Sequence, residues 1–209
     1  FNAFWLDNNQ YSNAAIALNP QGELSLYQKH HLVPFGEFVP WGFRWFIDSM
    51  RIPMTDLAAG PLPQEPILFA GHLAAVNLCY ENLFGNEWIE AWQKASPEVL
   101  INLSNLKWFG PVKAASQHLQ ISQMRALETA RPLLSVTNSG ETALINEKGE
   151  VVRRLATDID ATMDVKVTAM KGEATPFVKM GNWPAVIVAF LMLIGAFVCT
   201  FALKRGQKG

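Results

Sequence analysis

The alternation of apolar and polar positions predicts a chain of short strands broken by irregular loops, with one long helix inside and another at the end. Tyr11–Leu18 alternates loosely and runs into Asn19-Pro20-Gln21-Gly22, a turn sequence, before an extended pattern resumes over Leu24–Gln28. These two stretches predict a hairpin. From Lys29 to Pro40, Pro34, Gly36 and Pro40 forbid a regular helix and indicate a rigid loop. Trp41–Met50 is aromatic enough for a short helix, and Thr55–Pro66 reads as loop. Ile67–Ala70 and Leu73–Leu78 are predicted strands joined at Gly71-His72, and Leu73–Glu81 is apolar until it meets Cys79-Tyr80-Glu81.

Beyond that point strands and helices alternate. Asn86–Ala95 has helical spacing through Trp88, Ile89 and Trp92, and Val99–Leu103 suits a buried strand. Asn105–Pro111, which contains Trp108-Phe109-Gly110, reads as loop. Ala114–Ala130 predicts a helix ended by Pro132, with Ala115, Leu119, Ile121, Met124 and Leu127 as its apolar side. Leu133–Thr137 predicts a strand, Thr142–Asn146 and Val151–Leu155 a hairpin about Glu147-Lys148-Gly149, and Met163–Val167 a last strand. This order predicts an α/β or α+β class with a mixed sheet.

Composition changes the picture at the C-terminus. Met180–Leu203 holds no charged residue, and Pro184–Leu203 alone matches the length of a membrane-spanning helix. Trp183 sits before the span as interfacial aromatics do, and Lys204, Arg205 and Lys208 follow it. The basic tail predicts a cytoplasmic end, which would place residues 1–180 on the outer side. Net charge is −1 and no basic stripe with interleaved aromatics occurs, so nucleic acid is not an expected partner. Two cysteines are too few for a disulfide scaffold. With Cys199 inside the apolar span, Cys79 is expected to be a lone thiol in an oxidising compartment. The chain opens on Phe1 with no charged leader, which suggests the later part of a longer protein.

A nucleophilic Cys79 needs a base and a positive group for the oxyanion. His72 lies at the far end of the same strand. His30, His31 and His118 lack metal-ligand spacing, so no metal and no cofactor is expected, and all four histidines are read as solvated or packed. Lys29, Glu37 and Glu81 are the remaining candidates. Taken singly, Lys29 and Glu37 read more readily as surface charges, and Cys79 as an inert buried thiol.

Together these residues carry a resemblance. Tyr27-Gln28-Lys29-His30-His31-Leu32-Val33-Pro34-Phe35-Gly36-Glu37-Phe38-Val39-Pro40, followed by Asn77-Leu78-Cys79-Tyr80-Glu81, resembles the nitrilase superfamily and, within it, the bacterial apolipoprotein N-acyltransferases. The likeness continues through Asn102-Leu103-Ser104-Asn105, Trp108-Phe109-Gly110, His118, Arg125-Ala126-Leu127-Glu128, Arg131-Pro132 and Thr137-Asn138. Thr175-Pro176-Phe177 and Gly181-Asn182-Trp183-Pro184 match that family's junction with its last membrane helix. The resemblance implies a nitrilase-like α-β-β-α sandwich, present in part over residues 1–176, a junction and transmembrane helix over 177–203, and a basic tail over 204–209.

It also implies roles. Cys79 would be the nucleophile and Lys29 the triad lysine, with Glu37 as the second active-site glutamate and Tyr80 and Glu81 as the pair after the cysteine. The family's general-base glutamate lies upstream of the hairpin, where this chain has only Asp7 before Tyr11, so that base is expected to precede Phe1. Two departures occur: Leu106-Lys107 stands where the family has an aspartate, and Ser135-Val136 where it has a basic residue.

The implied reaction moves a fatty acyl chain from a phospholipid to Cys79, then to the amino group of a diacylglyceryl-cysteine at a lipoprotein N-terminus. The implied location is the bacterial inner membrane, with the catalytic domain on the periplasmic side. Phe35, Phe38, Trp41, Phe43, Trp45 and Phe46 crowd the loop after Lys29 and suit either a lipid substrate or ordinary core packing. Three other readings stay open: a nitrilase-type amidase, a membrane-anchored nitrilase-like protein of plasmid conjugation, and a non-catalytic domain kept for interaction.

Overall fold

The computed structural model describes residues 1–50, 56–107, 110, 113–156 and 159–206, with the side chains of 201–206 left aside. Two sheets and a helical layer make up the body. The first sheet is antiparallel, in the order β1 (Asn2–Asp7), β2 (Gln10–Leu18), β3 (Leu24–Gln28). The second runs β4 (Ile67–Phe69), β5 (His72–Leu78), β6 (Val99–Ser104), β7 (Leu133–Thr137), β8 (Ala143–Ile145), β9 (Val151–Arg154). Within it β5, β6 and β7 are parallel and the flanking strands antiparallel.

The parallel centre explains the apolar runs, because strands covered on both faces lose the polar half of the alternation. Opposite faces of β5 and β6 serve two cores. Leu78 and Val76 pack with Ala15, Tyr27, Ile67 and Leu103 between the sheets, while Ala75 and Leu100 pack with Leu119, Ala126, Leu133 and Ile145 beneath α3 (Ala114–Thr129). One polar row crosses this interior. Asn77 faces Asn102, which faces Ser135 across the strands, and Asn102 Nδ2 donates to Asn77 Oδ1 at 2.6 Å. The result is the nitrilase-like mixed α/β architecture in part: two sheets and one of the sandwich's flanking helical layers.

The predicted elements form, with several differences. β1 pairs with β2 outside the expected hairpin. The aromatic stretch gives the short helix α1 (Arg44–Ser49), and Asn86–Ala95 becomes α2 (Gly85–Trp88) continued by a 3₁₀ turn, Ile89–Gln93. Met163–Val167 forms no strand; it runs irregularly, partly exposed, past β9. The buried side of α3 is also not the expected one. His118, Leu119, Ser122, Ala126 and Thr129 face inward, while Met124 and Leu127 are about half exposed. The Trp108-Phe109 pair of the predicted loop lies outside the described residues.

After β9 the chain reaches α4 (Pro176–Met180), whose first turn is capped by the Thr175 hydroxyl accepting from Val178 N–H. Then comes α5 (Trp183–Gly206), 24 residues long. Its Trp183–Thr200 stretch is apolar enough and long enough to cross a membrane, and none of it is buried against the protein.

Candidate active site

The site forms where β3 and β5 end, side by side, in the two sheets. Burying a carboxylate is costly unless donors surround it, and Glu81 meets that demand with groups from both sheets. Its Oε1 accepts from the Tyr27 hydroxyl at 3.0 Å, His30 N–H at 2.7 Å and His31 N–H at 3.1 Å. Its Oε2 accepts from Leu78 N–H at 2.7 Å. Glu81 therefore ties the residues after Lys29 to the residue before Cys79. Burial pushes the Glu81 carboxyl above its ordinary value, against the four donors, which pull it down. Burial, followed by the charge of Glu81, drives the Tyr27 phenol well up.

Lys29 is fully buried, at 1% exposure, and its Nζ pairs with Glu37 Oε2 at 2.7 Å. The irregular loop is what closes this pair. Glu37 Oε2 also accepts from Val33 N–H, and Oε1 accepts from Asn13 Nδ2 on β2. On its outer side the loop is backed by the 57–60 segment. Gly60 N–H donates to Lys29 O, and His30 Nδ1 donates to Gly60 O at 2.7 Å. Any Cβ at Gly60 would run into the Gln28 backbone, so this approach requires glycine.

Strand β5 stops at Leu78, and Cys79 opens a 3₁₀ turn, Cys79–Leu83, with a φ of +52°. A left-handed residue without a glycine's freedom is strained and is retained only where its surroundings fix it. The Cys79 thiol is part-exposed and uncombined, and its Sγ lies 3.8 Å from Asn105 O. Among the described residues no hydrogen bond joins Sγ to Lys29 or Glu37; the link runs through Glu81 and the backbone. Tyr80 stands edge-on to Phe84 and His31, and His31 stacks on Phe84 with ring centres 3.7 Å apart. His31 Nδ1 meets Glu87 Oε1 at 2.6 Å.

The structure thus brings Lys29 and Glu37 into contact and draws Glu81 to the neighbours of both Lys29 and Cys79. Tyr80 joins an aromatic cluster with His31 and Phe84 beside these residues. His72 is exposed and pairs with Glu98, away from the thiol. His118 is different. It is buried on α3 with Nε2 at 3.3 Å from Cys79 O, a contact that no spacing in the sequence announced. Leu106, one of the two departures, is buried at the foot of the Asn105 loop, and Ser135 occupies the polar row. The aromatics after Lys29 are mainly outside: Trp41 is 98% and Trp45 71% exposed, which removes the core-packing reading for these two.

Comparison with known proteins agrees with this geometry. The carbon-nitrogen hydrolase family model matches residues 1–177. An apolipoprotein N-acyltransferase of Ralstonia nicotianae is 44% identical over 189 residues, 89% of this chain and 36% of that protein. One from Nitrosomonas europaea is 43% identical over 95% of this chain and 39% of its own length. The chain therefore spans a little over a third of the length of each of these two relatives. A solved carbon-nitrogen hydrolase from Helicobacter pylori superposes with a TM-score of 0.57 at 16% identity, covering 77% of this chain and 58% of that one. An amidase from Nesterenkonia sp. AN1 superposes with a TM-score of 0.55 at 14% identity, over 75% of this chain and 57% of its own. At those identities the two structures speak for the fold. With the family model covering most of the chain and the sheets, loop and cysteine turn in its order, the chain belongs to the carbon-nitrogen hydrolase family.

Proposed function

We propose that this chain is the later part of a membrane-bound acyltransferase that N-acylates bacterial lipoproteins, with Cys79 as nucleophile. The observation that carries the reading is Cys79 itself: a part-exposed thiol in a strained conformation, one residue past a strand fixed by Glu81 to the loop of Lys29. The relatives named apolipoprotein N-acyltransferase support the acyl acceptor.

In the first step the Cys79 thiolate attacks the ester carbonyl of a phospholipid. The ester C–O bond breaks, a lysophospholipid leaves with a proton, and a thioester forms. In the second step the free amine of a diacylglyceryl-cysteine attacks the thioester carbonyl and gives up a proton to the same base that took the Cys79 proton; the C–S bond breaks, and the thiolate returns as the amide forms. Lys29 is the positive group for the oxyanion, and Glu37 holds it in place. Glu37 takes three donors and Glu81 four, so both carboxylates are already committed as acceptors. The Cys79 proton goes instead to the glutamate that the family resemblance places upstream. Glu81 acts as a positioning residue, and Tyr80 lines the site with His31 and Phe84.

The apolar α5 anchors this chemistry at a bilayer. The reading places it in the inner membrane with residues 1–180 on the periplasmic side, so that Trp41 and Trp45 face the lipid. The test is incubation of the full-length protein with a phospholipid and a diacylated lipopeptide. The lipopeptide should gain one acyl chain through a Cys79 adduct that Cys79→Ser cannot form. Release of a soluble acid from an amide with no gain on the lipopeptide points to an amidase, and full lipopeptide acylation by Cys79→Ser removes the assignment.

A further inference from the structure

Helix α3 meets the cysteine turn in matched register. His118 Nε2 faces Cys79 O at 3.3 Å, and four residues on, Ser122 Oγ accepts from Asn82 Nδ2 at 2.8 Å. Four residues of α-helix rise about 6 Å, and three residues of 3₁₀ helix rise about the same. The two elements therefore stay in step over one turn. A third point continues the match. Arg125 packs against Gly85 so closely that a Cβ there would strike its guanidinium, and Arg125 is held by Glu128 at 3.1 Å. Thus 118, 122 and 125 on α3 sit over 79, 82 and 85.

The α3 side chains of the first two contacts are interior. His118 is 8% exposed, and Ser122 and Asn82 are fully buried. Ser122 Oγ in turn donates to His118 O, so the helix end of the contact is itself tied down. A carbonyl only accepts, so Nε2 must carry the proton, and the burial that lowers the His118 pKa leaves it a neutral donor.

We infer that His118 is a positioning residue for the nucleophile: by donating to the Cys79 carbonyl it fixes the plane of the Cys79–Tyr80 peptide and holds Cys79 in its left-handed conformation. The peptide is planar, so locking its carbonyl fixes ψ of Cys79 and the direction of the Tyr80 N–H together. Strain at Cys79 persists only against such a restraint. Glu81 secures the turn from the loop side, and His118 secures it from the helix side. The inference rests on the nucleophile reading of Cys79, although not on the identity of the acyl donor.

The test uses the full-length membrane protein and compares His118→Leu, which has no donor, with His118→Gln, whose amide can restore one. Two rates are read: Cys79 acylation by phospholipid and Cys79 alkylation by iodoacetamide. Misplacing a reacting atom by about 1 Å costs on the order of 100-fold. His118→Leu should slow acylation by about 10- to 100-fold at unchanged KM for the phospholipid and shift the alkylation rate. His118→Gln should recover most of both. Wild-type rates in His118→Leu, or a His118→Gln protein no faster than His118→Leu at equal Tm, overturn the inference. If the wild type is not acylated but alkylation still follows the donor at residue 118, the phospholipid reading falls and the positioning role stands.

Discussion

Tyr27 and Glu81, 54 residues apart, meet in a buried hydrogen bond of 3.0 Å that joins the end of one sheet to the cysteine turn of the other. The phenol is one of four donors on that carboxylate, and each deletion leaves the rest to be satisfied in a dry interior.

Tyr27→Phe removes one donor and leaves the backbone bonds. Stability to urea should fall by about 1.5–3 kcal/mol, the range for a hydrogen bond to a charged group. Losing that donor also raises the Glu81 pKa further, which carboxyl resonances followed by NMR should show as an upward shift. Glu81→Gln should cost more than Tyr27→Phe, because the amide nitrogen must face one of the donors that the carboxylate accepted. An equal or smaller loss would mean that the carboxylate is not the common acceptor.

The Lys29–Glu37 pair should show strong coupling. Removing Glu37 (Glu37→Leu) leaves the buried ammonium of Lys29 without its counter-charge, and breaking a buried pair costs about 3–5 kcal/mol. The double variant Lys29→Met with Glu37→Leu should be more stable than Glu37→Leu alone. A double-mutant cycle in urea measures this, and simple additivity of the two changes would contradict it.

Acid dependence has two opposing parts. His118 has its folded pKa below the ordinary 6.5, so the unfolded chain takes up the proton first. Its stabilising share is complete above pH 6.5 and is lost as pH falls through the folded value. Glu81 has its folded pKa above the ordinary 4.5, so the folded chain holds that proton more tightly. Its share is present at low pH and is lost as pH rises from 4.5 through the raised folded value. Urea midpoints measured from pH 4 to 8 should therefore lose their fall toward acid in His118→Gln, and lose an opposing component in Glu81→Gln.

Glycine substitutions should separate by contact. Gly60→Ala drives a Cβ into the Gln28 backbone, which cannot step aside, and should destabilise by about 1–3 kcal/mol. Gly172→Ala meets nothing within 4 Å and should be neutral or slightly stabilising. Thermal melts of the two variants suffice.

Within α5, Leu191→Arg should weaken membrane insertion by about 2.5–3.5 kcal/mol, read as the fraction of protein released into the soluble fraction or inserted by a translocon assay. Unchanged insertion would show that α5 does not span.

Much of this was legible because β5 and β6 are covered on both faces, and such strands show as largely apolar runs bounded by turns, while β7 buries Leu133 and Ser135 on one face and leaves Val136 exposed on the other. The Pro34, Gly36 and Pro40 loop was equally visible, and the motif around Lys29 and Cys79 gave the family. What escaped is where polar groups do interior work. α3 was assigned the wrong face because its buried side carries His118, Ser122 and Thr129, whose partners lie across the fold, while Met124 and Leu127 remain half exposed. β1 escaped because its pattern carries no deep burial: it is an edge strand whose residues are exposed or half-buried. Met163–Val167 alternates like a strand, yet among the described residues no strand pairs with it, and its Asp164 carbonyl accepts only from the Arg153 side chain on β9. Hydrophobicity alone does not say whether a neighbouring edge is available.

The amides of His30, His31 and Leu78 all end on the Glu81 carboxylate, and this gives the site a single dynamic address. An opening that frees one of these amides to exchange with solvent deuterium must disturb the acceptor that holds the other two. Two of them follow Lys29 within its loop and the third precedes the thiol, so loop and nucleophile turn loosen together rather than in sequence. Correlated exchange at these amides would report the integrity of the whole centre without any substrate being present.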